Sequence, residues 1–338
     1  MRASNINWKA LKAAVGLGVG TYLFWISLAN VGWDNLKPAL QRFDASWVLL
    51  AVPCFLGALI LRGLRLSRIA HGGAVKTSSY TAAAALGLTV NSLIPLRIGE
   101  VVKVLYLAKK IPMKLVKAGS VIVAERLTDV LCLVIFILGS FLLNRALFET
   151  WFFNFLWEKI TNSGSLLLTA AGILAAAGIL AGAFFLFFKR DWIESVLRET
   201  REKFGSKINE ILTDLSWRLA GVFLLSLVIW SADMTVINLM ARGFAINLHL
   251  SQLIFLHTVL TLSYASSVSP GALGLYELTG SWLLAEMGTA KGEALAFLIT
   301  THSLTYLLLL LVSLGILFKE SWLIKKTIKS PKEACEFE

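Results

Sequence analysis

The sequence predicts an all-α polytopic membrane protein with about six full transmembrane helices and two oppositely oriented re-entrant helical hairpins in an inverted repeat. The first observation is composition: 57% of the 338 residues are hydrophobic and only 16% are charged, whereas soluble domains carry about 25% charged residues. The mean hydropathy is +0.73. The second observation is that two apolar segments are interrupted by proline and glycine, which break helices.

Six apolar runs predict the spanning helices, because about 20 helical residues cross a bilayer. These runs are residues 13–33, 46–61, 118–143, 165–188, 219–241 and 294–318. The first run is longer than the apolar region of a signal peptide, about 7–15 residues, so we expect it to be a retained span.

The two interrupted segments, residues 77–108 and 251–288, contain related motifs. The first reads Asn91-Ser-Leu-Ile-Pro95-Leu-Arg97-Ile-Gly99-Glu100 and the second reads Ser269-Pro270-Gly271-Ala-Leu-Gly274-Leu-Tyr-Glu277. Each has a proline, a glycine four residues later and then a carboxylate. We predict helix breaks at Pro95, Gly99, Pro270, Gly271 and Gly274. Such breaks free backbone groups that need protein or a water-filled cavity as a partner, and paired breaks are typical of transporter binding sites.

The distribution of lysine and arginine predicts the orientation of both segments. Residues 62–76 and 109–117 are rich in basic residues, so the positive-inside rule places both in the cytoplasm. Residues 242–250 and 289–293 hold one basic residue each, which favours the outside. The first hairpin therefore enters from the cytoplasm and the second from outside, with both termini in the cytoplasm. The alternative is that each broken segment is two short or kinked spanning helices.

These predictions describe a single membrane domain, residues 1–338, made of two inverted halves. Its predicted parts are the first half 13–143, an external aromatic loop 144–163, the second half 165–318, a cytoplasmic amphipathic helix 191–217 and a basic cytoplasmic tail 319–338.

Ionisable residues inside the predicted membrane segments are candidate site residues, because an intramembrane charge costs a few kcal/mol. The predicted substrate-binding residues are Asn91, Arg97, Glu100, Lys103, Glu125, Arg126, Asp129 and Glu277. We expect Glu125 and Asp129, on one helix face, to pair with Arg97, Lys103 or Arg126. A structural ion-pair network formed by Glu125, Arg126 and Asp129 remains an equal alternative.

Asp233 stands alone in its predicted span, and it is a candidate proton carrier or a hydrogen-bonded core acid. His257 and His302 lack metal-ligand spacing, so we expect packed polar histidines, no metal and no cofactor. The formal net charge of +11 lies mainly in loops between apolar runs, which predicts contact with anionic lipid and not with nucleic acid.

Three motifs, in order along the chain, resemble the lysylphosphatidylglycerol synthase/flippase transmembrane family. They are the Asn91 to Glu100 segment, Glu125-Arg126-x-x-Asp129 and Pro270-Gly271-x-x-Gly274-x-x-Glu277. The resemblance implies a flippase-like domain that moves lipid between leaflets, here of a bacterial or archaeal cytoplasmic (inner) membrane. Its best-known members also carry a cytoplasmic aminoacyl-transferase domain. Only twenty residues follow Phe318 here, so we expect no synthase activity.

The sequence thus predicts a flippase or transporter of a phospholipid or related lipid. The expected partners are membrane lipids, whether anionic phospholipid, glycolipid or polyprenyl-linked lipid, and a separate lipid-synthesising enzyme is a candidate partner. Two alternatives stay open: a glycosyl- or phosphotransferase acting on a polyprenyl-phosphate lipid, and a proton-coupled transporter of a small solute.

Overall fold

The computed structural model describes residues 8–70, 76–94, 97–111, 113–145, 220–266 and 269–329. In chain order the described helices are α1 (Trp8–Val31), α2 (Trp33–Gln41), α3 (Val48–Ala70), α4 (Thr77–Leu93), α5 (Gly99–Lys110), α6 (Leu115–Leu143), α7 (Ala220–Gly243), α8 (Leu250–Ser266), α9 (Leu275–Glu286) and α10 (Lys291–Lys329). Single 3-10 turns lie at Ala45–Trp47 and Pro270–Ala272. No strand occurs in the described ranges, so the all-α prediction is confirmed.

Several predicted features lie outside the described residues. They are Pro95, the span 165–188, the amphipathic helix 191–217, the end of the tail from residue 330, and the aromatic loop 144–163 apart from its first two residues.

Three of the described helices are long and apolar enough to cross a membrane, and a bent pair makes a fourth. The three are Ala45–Ala70, Ala220–Gly243 and Lys291–Ser321. The bent pair is α1 and α2, which meet at an angle of 88°. Gly32 between them has φ 76°, a left-handed conformation that glycine adopts easily.

Two helices extend beyond the predicted apolar spans. The span predicted at 46–61 continues as α3 to Ala70, and the first part of the predicted tail, residues 319–329, continues α10. In both places the apolar run ends where basic residues begin, but a charged residue does not interrupt the hydrogen bonds of a helix. The helix stop after α3 is instead signalled by Gly72-Gly73 in the sequence.

The structure divides both interrupted segments into two helices. The segment 77–108 is divided into α4 and α5, and the segment 251–288 into α8 and α9. Each pair packs side by side, so each interrupted segment forms a helical hairpin. Helix α4 also packs against α3 and α10, and α9 packs against α1 and α10.

Apolar packing forms two main clusters. One joins α3, α4, α5 and α6 and includes Leu66, Tyr80 and Leu107. The other joins α7 to α10 with the start of the chain and includes Met240 and Phe297.

The outer face of α6 is apolar as well. Val123, Leu127, Leu131 and Leu138 are all more than half exposed, and three of them follow one another at intervals of four residues. A face of this kind is stable only against an apolar surrounding such as lipid hydrocarbon.

Candidate functional site

The first helix break lies between α4 and α5 and depends on a close approach of backbones. Gly99, the first residue of α5, lies against Gly87 of α4, so that a Cβ at Gly99 would collide with the Gly87 carbonyl oxygen. The Gly99 N–H donates to Asn91 Oδ1 at 2.8 Å. The predicted site residue Asn91 therefore satisfies a backbone group that the break frees.

Four charged residues next to this break form a cluster, Arg65, Lys103, Glu125 and Asp129, which we call the ion cluster. Glu125 Oε2 accepts from Lys103 Nζ at 3.0 Å, and its Oε1 accepts from Arg65 Nη2 at 3.0 Å. Arg65 Nη1 also donates to Asp129 Oδ1 at 2.6 Å. Arg65, Lys103 and Glu125 are each 1% exposed. One buried carboxylate thus joins three helices, α3, α5 and α6, through two cations.

The sequence prediction missed Arg65, which was placed in a cytoplasmic loop. In the structure Arg65 belongs to α3 and is among the largest fully buried side chains. The sequence could have revealed this position. Arg62, Arg65 and Arg68 recur at intervals of three residues, and this spacing places them on one side of a helix.

A second, more exposed group of charges surrounds Arg126 of α6. Its Nη2 lies 3.2 Å from Asp129 Oδ2 and its Nη1 lies 3.8 Å from Glu100 Oε1, while 39% of the side chain remains exposed. Glu100 Oε2 in turn lies 3.3 Å from Lys103 Nζ. The expected pairing of Glu125 and Asp129 with Lys103 and Arg126 is therefore correct.

Arg97 behaves differently from the other cations. It adopts φ 54°, which is uncommon for a residue other than glycine. Its guanidinium donates to the main-chain carbonyl of Tyr264 on α8, and it forms no ion pair with any carboxylate of the described residues. Of the three predicted partners of Glu125 and Asp129, Arg97 is therefore the one that the described residues do not pair with them. Its hydrogen bond to Tyr264 links the first break to the second hairpin.

The second break is closed by side chains of α9 and α10. Glu277 Oε2 accepts from the Gly274 N–H at 2.7 Å and so caps α9. The Gly271 carbonyl accepts from the Tyr306 hydroxyl at 2.5 Å, and His302 Nε2 lies 3.1 Å from the same oxygen. Gly271 has φ 54°, and a Cβ there would collide with the Tyr306 hydroxyl, so the turn requires glycine.

His302 of α10 contacts both the acidic residue and the turn of the second motif. Its Nδ1 lies 2.5 Å from Glu277 Oε1, and its Nε2 faces the Gly271 carbonyl. Both ring nitrogens therefore contact oxygen atoms of the second break.

The two breaks contact each other. A Cβ at Gly271 would lie 3.0 Å from the carbonyl oxygen of Ser92, near the end of α4. The 3-10 turn of the second break packs against α4, and Arg97 bonds to Tyr264 as described above. Motifs about 180 residues apart in sequence therefore meet at one place in the fold.

A cavity of about 410 Å³ opens beside this meeting point. Seven of the eight predicted substrate-binding residues line it: Asn91, Arg97, Glu100, Lys103, Glu125, Arg126 and Asp129. Glu277 does not; it is 1% exposed and turned toward Gly274 and His302. Among the predicted break residues, Gly271 lines the cavity and Pro270 begins the 3-10 turn. Gly274 occupies the N-cap position of α9, where Glu277 binds its N–H.

Asp233 lies in the cavity wall contributed by α7, and it is not alone. Its Oδ2 accepts from Arg62 Nη2 at 2.5 Å, an ion pair that the sequence prediction missed because it placed Arg62 in a loop. His257 also lines the cavity, and its ring packs against Trp230 and Phe136 at centroid distances of 5.3 Å and 5.6 Å. Within the described ranges no group of three or more potential ligands could hold a metal ion.

Comparison with protein families gives one result that decides the affiliation. The family model described as "Lysylphosphatidylglycerol synthase TM region" matches residues 13–313, which is most of the chain. The chain belongs to this family. A search among curated proteins found no match. Membership of this family and the apolar helices together show an integral membrane protein whose function is related to membrane lipids.

Proposed function

We propose that this protein is a flippase that moves a phospholipid or a related lipid between the leaflets of a bacterial or archaeal cytoplasmic membrane. The headgroup occupies the cavity between the two hairpins, and the acyl chains remain in the surrounding hydrocarbon. A headgroup that crosses unaided must leave water for about 30 Å of hydrocarbon. A charged cavity open toward lipid lowers that free-energy barrier.

The observation that carries the proposal is the meeting of charged side chains from both hairpins at one cavity in an otherwise apolar protein. Nine charged side chains of the described residues line it: Arg62, Arg65, Arg97, Lys103, Arg126, Glu100, Glu125, Asp129 and Asp233. Structural needs alone do not account for all of them, because intramembrane charges cost several kcal/mol and Arg97 has no carboxylate partner among the described residues. Arg126 lies within 4.0 Å of Glu100, Glu125 and Asp129, but its buried Nε has no hydrogen-bond partner among them.

The proposed mechanism uses the two hairpins as opposite gates. In an inverted repeat the first hairpin enters from the cytoplasmic side and the second from outside, so that movement of one half against the other exposes the same site to each leaflet in turn. The hydrogen bond from Arg97 to the Tyr264 carbonyl spans the two hairpins and has to break in this movement.

We further propose that the protein catalyses no covalent reaction. Every cavity carboxylate among the described residues lies within 4.0 Å of an arginine or lysine nitrogen, including Glu100, whose nearest cation is Lys103 at 3.3 Å. A carboxylate held in this way is a poor general base, because the cation stabilises its ionised form.

The test is lipid translocation by the purified protein in phosphatidylcholine vesicles. A fluorescent phospholipid in the inner leaflet becomes accessible to dithionite only after it crosses, so the rate of bleaching measures transport. We expect the wild-type protein to move lipid faster than protein-free vesicles, and Arg97→Ala to slow this movement about tenfold, the loss of one charge-assisted contact. Lys37→Ala removes an equal charge from an exposed site on α2 and serves as the matched control.

Three outcomes contradict the proposal. They are lipid movement no faster than in empty vesicles, solute uptake driven by a pH gradient, and metal-dependent formation of a lipid product. The second result favours a proton-coupled solute transporter, and the third a transferase acting on a polyprenyl-phosphate lipid.

A further inference from the structure

The carboxylates and the cations of the cavity differ in how they are paired. Each carboxylate has at least one cation as a partner: Glu125 is held by Lys103 and Arg65, Asp129 by Arg65 and Arg126, and Asp233 by Arg62. Glu100 also lies near Lys103 and Arg126. Every carboxylate in the described wall of the cavity therefore has a cationic partner.

Two arginines of the cavity, by contrast, keep a buried N–H group that no described residue accepts, and a third is bound to a carbonyl. Arg97 has a carbonyl oxygen as its partner and no carboxylate of the described residues. The Nε atoms of Arg65 and Arg126 are buried and have no hydrogen-bond partner in the described part of the chain. Among the cavity carboxylates the same holds for Glu100 Oε2, which lies 3.3 Å from the charged Lys103 Nζ. The described lining contains five arginine or lysine side chains against four carboxylates, a formal charge of +1. In addition, Arg97 and Arg126 carry charges of the same sign and line the same cavity, so that they repel each other.

We propose that the cavity selects lipids whose headgroup carries a net negative charge, with the phosphodiester held between Arg97 and Arg126, and that it rejects headgroups made cationic by an added amino group. This inference rests on the proposed function and specifies its substrate class. Guanidinium groups suit phosphate oxygens, because their planar donors match them in geometry and charge. A bound phosphodiester also neutralises the two charges that repel each other.

A cationic headgroup meets the opposite situation. To find a counter-charge, it has to compete with Lys103 and Arg126 for Glu100. The alternatives are to displace Arg65 or Lys103 from Glu125, or Arg62 from Asp233. Displacement of a cation from a buried carboxylate leaves that cation unpaired in a low-dielectric setting, which is strongly unfavourable. An aminoacylated phospholipid of net positive charge is thus a poor ligand for this cavity.

The source of the phosphodiester is a lipid and not a soluble phosphate. Leu88, Val130, Leu133, Ile237 and Leu309 line the same cavity as the charged residues. A cavity lined by both apolar and charged side chains suits a molecule that has both a headgroup and a hydrocarbon part.

The first experiment compares three labelled lipids in the translocation assay: phosphatidylglycerol, phosphatidylcholine and lysyl-phosphatidylglycerol, with net charges of about −1, 0 and +1 at neutral pH. All vesicles are neutral phosphatidylcholine with a trace of the label, so the surface potential is constant. We expect wild-type protein to move phosphatidylglycerol at least about tenfold faster than the lysyl lipid.

The decisive variant is Arg97→Glu, which changes the charge of the cavity lining from +1 to −1, since one cation is lost and one carboxylate is gained. We expect the preference to shift toward lysyl-phosphatidylglycerol. Lys37→Glu makes the same charge change at an exposed position of α2 and leaves the preference unaltered. Equal or faster movement of the lysyl lipid by the wild type, or an unaltered preference in Arg97→Glu, overturns the inference.

A binding measurement separates this inference from the proposed function. Short-chain dihexanoyl forms of the same lipids are added to the protein in neutral detergent, and the shift in Tm reports binding without transport. We expect dihexanoyl-phosphatidylglycerol to raise Tm and its lysyl derivative to raise it less, even if no lipid is translocated. Equal shifts overturn the charge selectivity. An equal shift with soluble glycerol 3-phosphate overturns the assignment to a lipid.

Discussion

The two helix breaks share a motif and differ in what their acidic residue does. At the first break Glu100 lies among Lys103, Arg126 and Asn91 and faces the cavity. At the second break Glu277 is buried and binds the Gly274 N–H and His302. The first break is charged and open to the cavity, whereas the second is buried and sealed.

The backbone of each break is satisfied in a different way as well. The N–H of Gly99 is bound by a side chain of the preceding helix, whereas the N–H of Gly274 is bound by a side chain of the helix that follows it. The first solution leaves the carboxylate of its motif free to interact with other charges, and the second uses it. Similar sequence motifs therefore produced a carboxylate that lines the cavity on one hairpin and a buried capping carboxylate on the other.

The largest effect is expected for Glu125→Ala, because it leaves Arg65 and Lys103 buried without their shared carboxylate. Removal of one partner from a buried ion pair costs about 3–5 kcal/mol of folding free energy. Thermal unfolding in detergent measures the effect, and Glu286→Ala, at an exposed position of α9, is the control. A Tm change no larger than that of the control would show that the ion cluster contributes nothing to stability.

The next prediction compares the two acidic residues directly. Glu277→Ala removes the cap of α9 and the partner of His302, and we expect it to destabilise the protein by about 1–3 kcal/mol. Glu100→Ala removes a partly exposed side chain and is expected to cost about 1 kcal/mol or less. The same unfolding experiment measures both variants. If Glu100→Ala is the more destabilising of the two, the distinction between an open break and a sealed break is wrong.

A smaller effect is expected for Asn91→Ala, which removes the acceptor of the Gly99 N–H. Loss of a side-chain cap at a helix N-terminus costs about 1 kcal/mol. Hydrogen exchange at the start of α5 provides a local measurement, with faster exchange expected at Gly99 and unchanged exchange at Gly274. If hydrogen exchange accelerates equally at both glycines, the N–H groups of the two breaks are not bound independently of each other.

Much of the fold could be predicted, because lipid imposes simple requirements on a chain. Apolar runs located α1, α6, α7 and α10, and proline with glycine located both breaks. The seven cavity residues were also predictable, since a charge or amide inside an apolar run needs a reason to be there. The partners of these residues were not predictable, because Arg62 and Arg65 follow an apolar run and resemble loop residues.

The sequence by itself determined that the chain is a helical membrane protein, where its helices break and which polar residues lie within apolar segments, because hydropathy and helix-breaking residues act locally. The tertiary structure alone decided which charges pair and that Glu277 forms a cap while Glu100 faces the cavity. It also decided that no carboxylate of the described residues pairs with Arg97. These outcomes depend on which helices lie side by side. The partner of an intramembrane charge can lie on another helix and far away in sequence, as with Arg62 and Asp233.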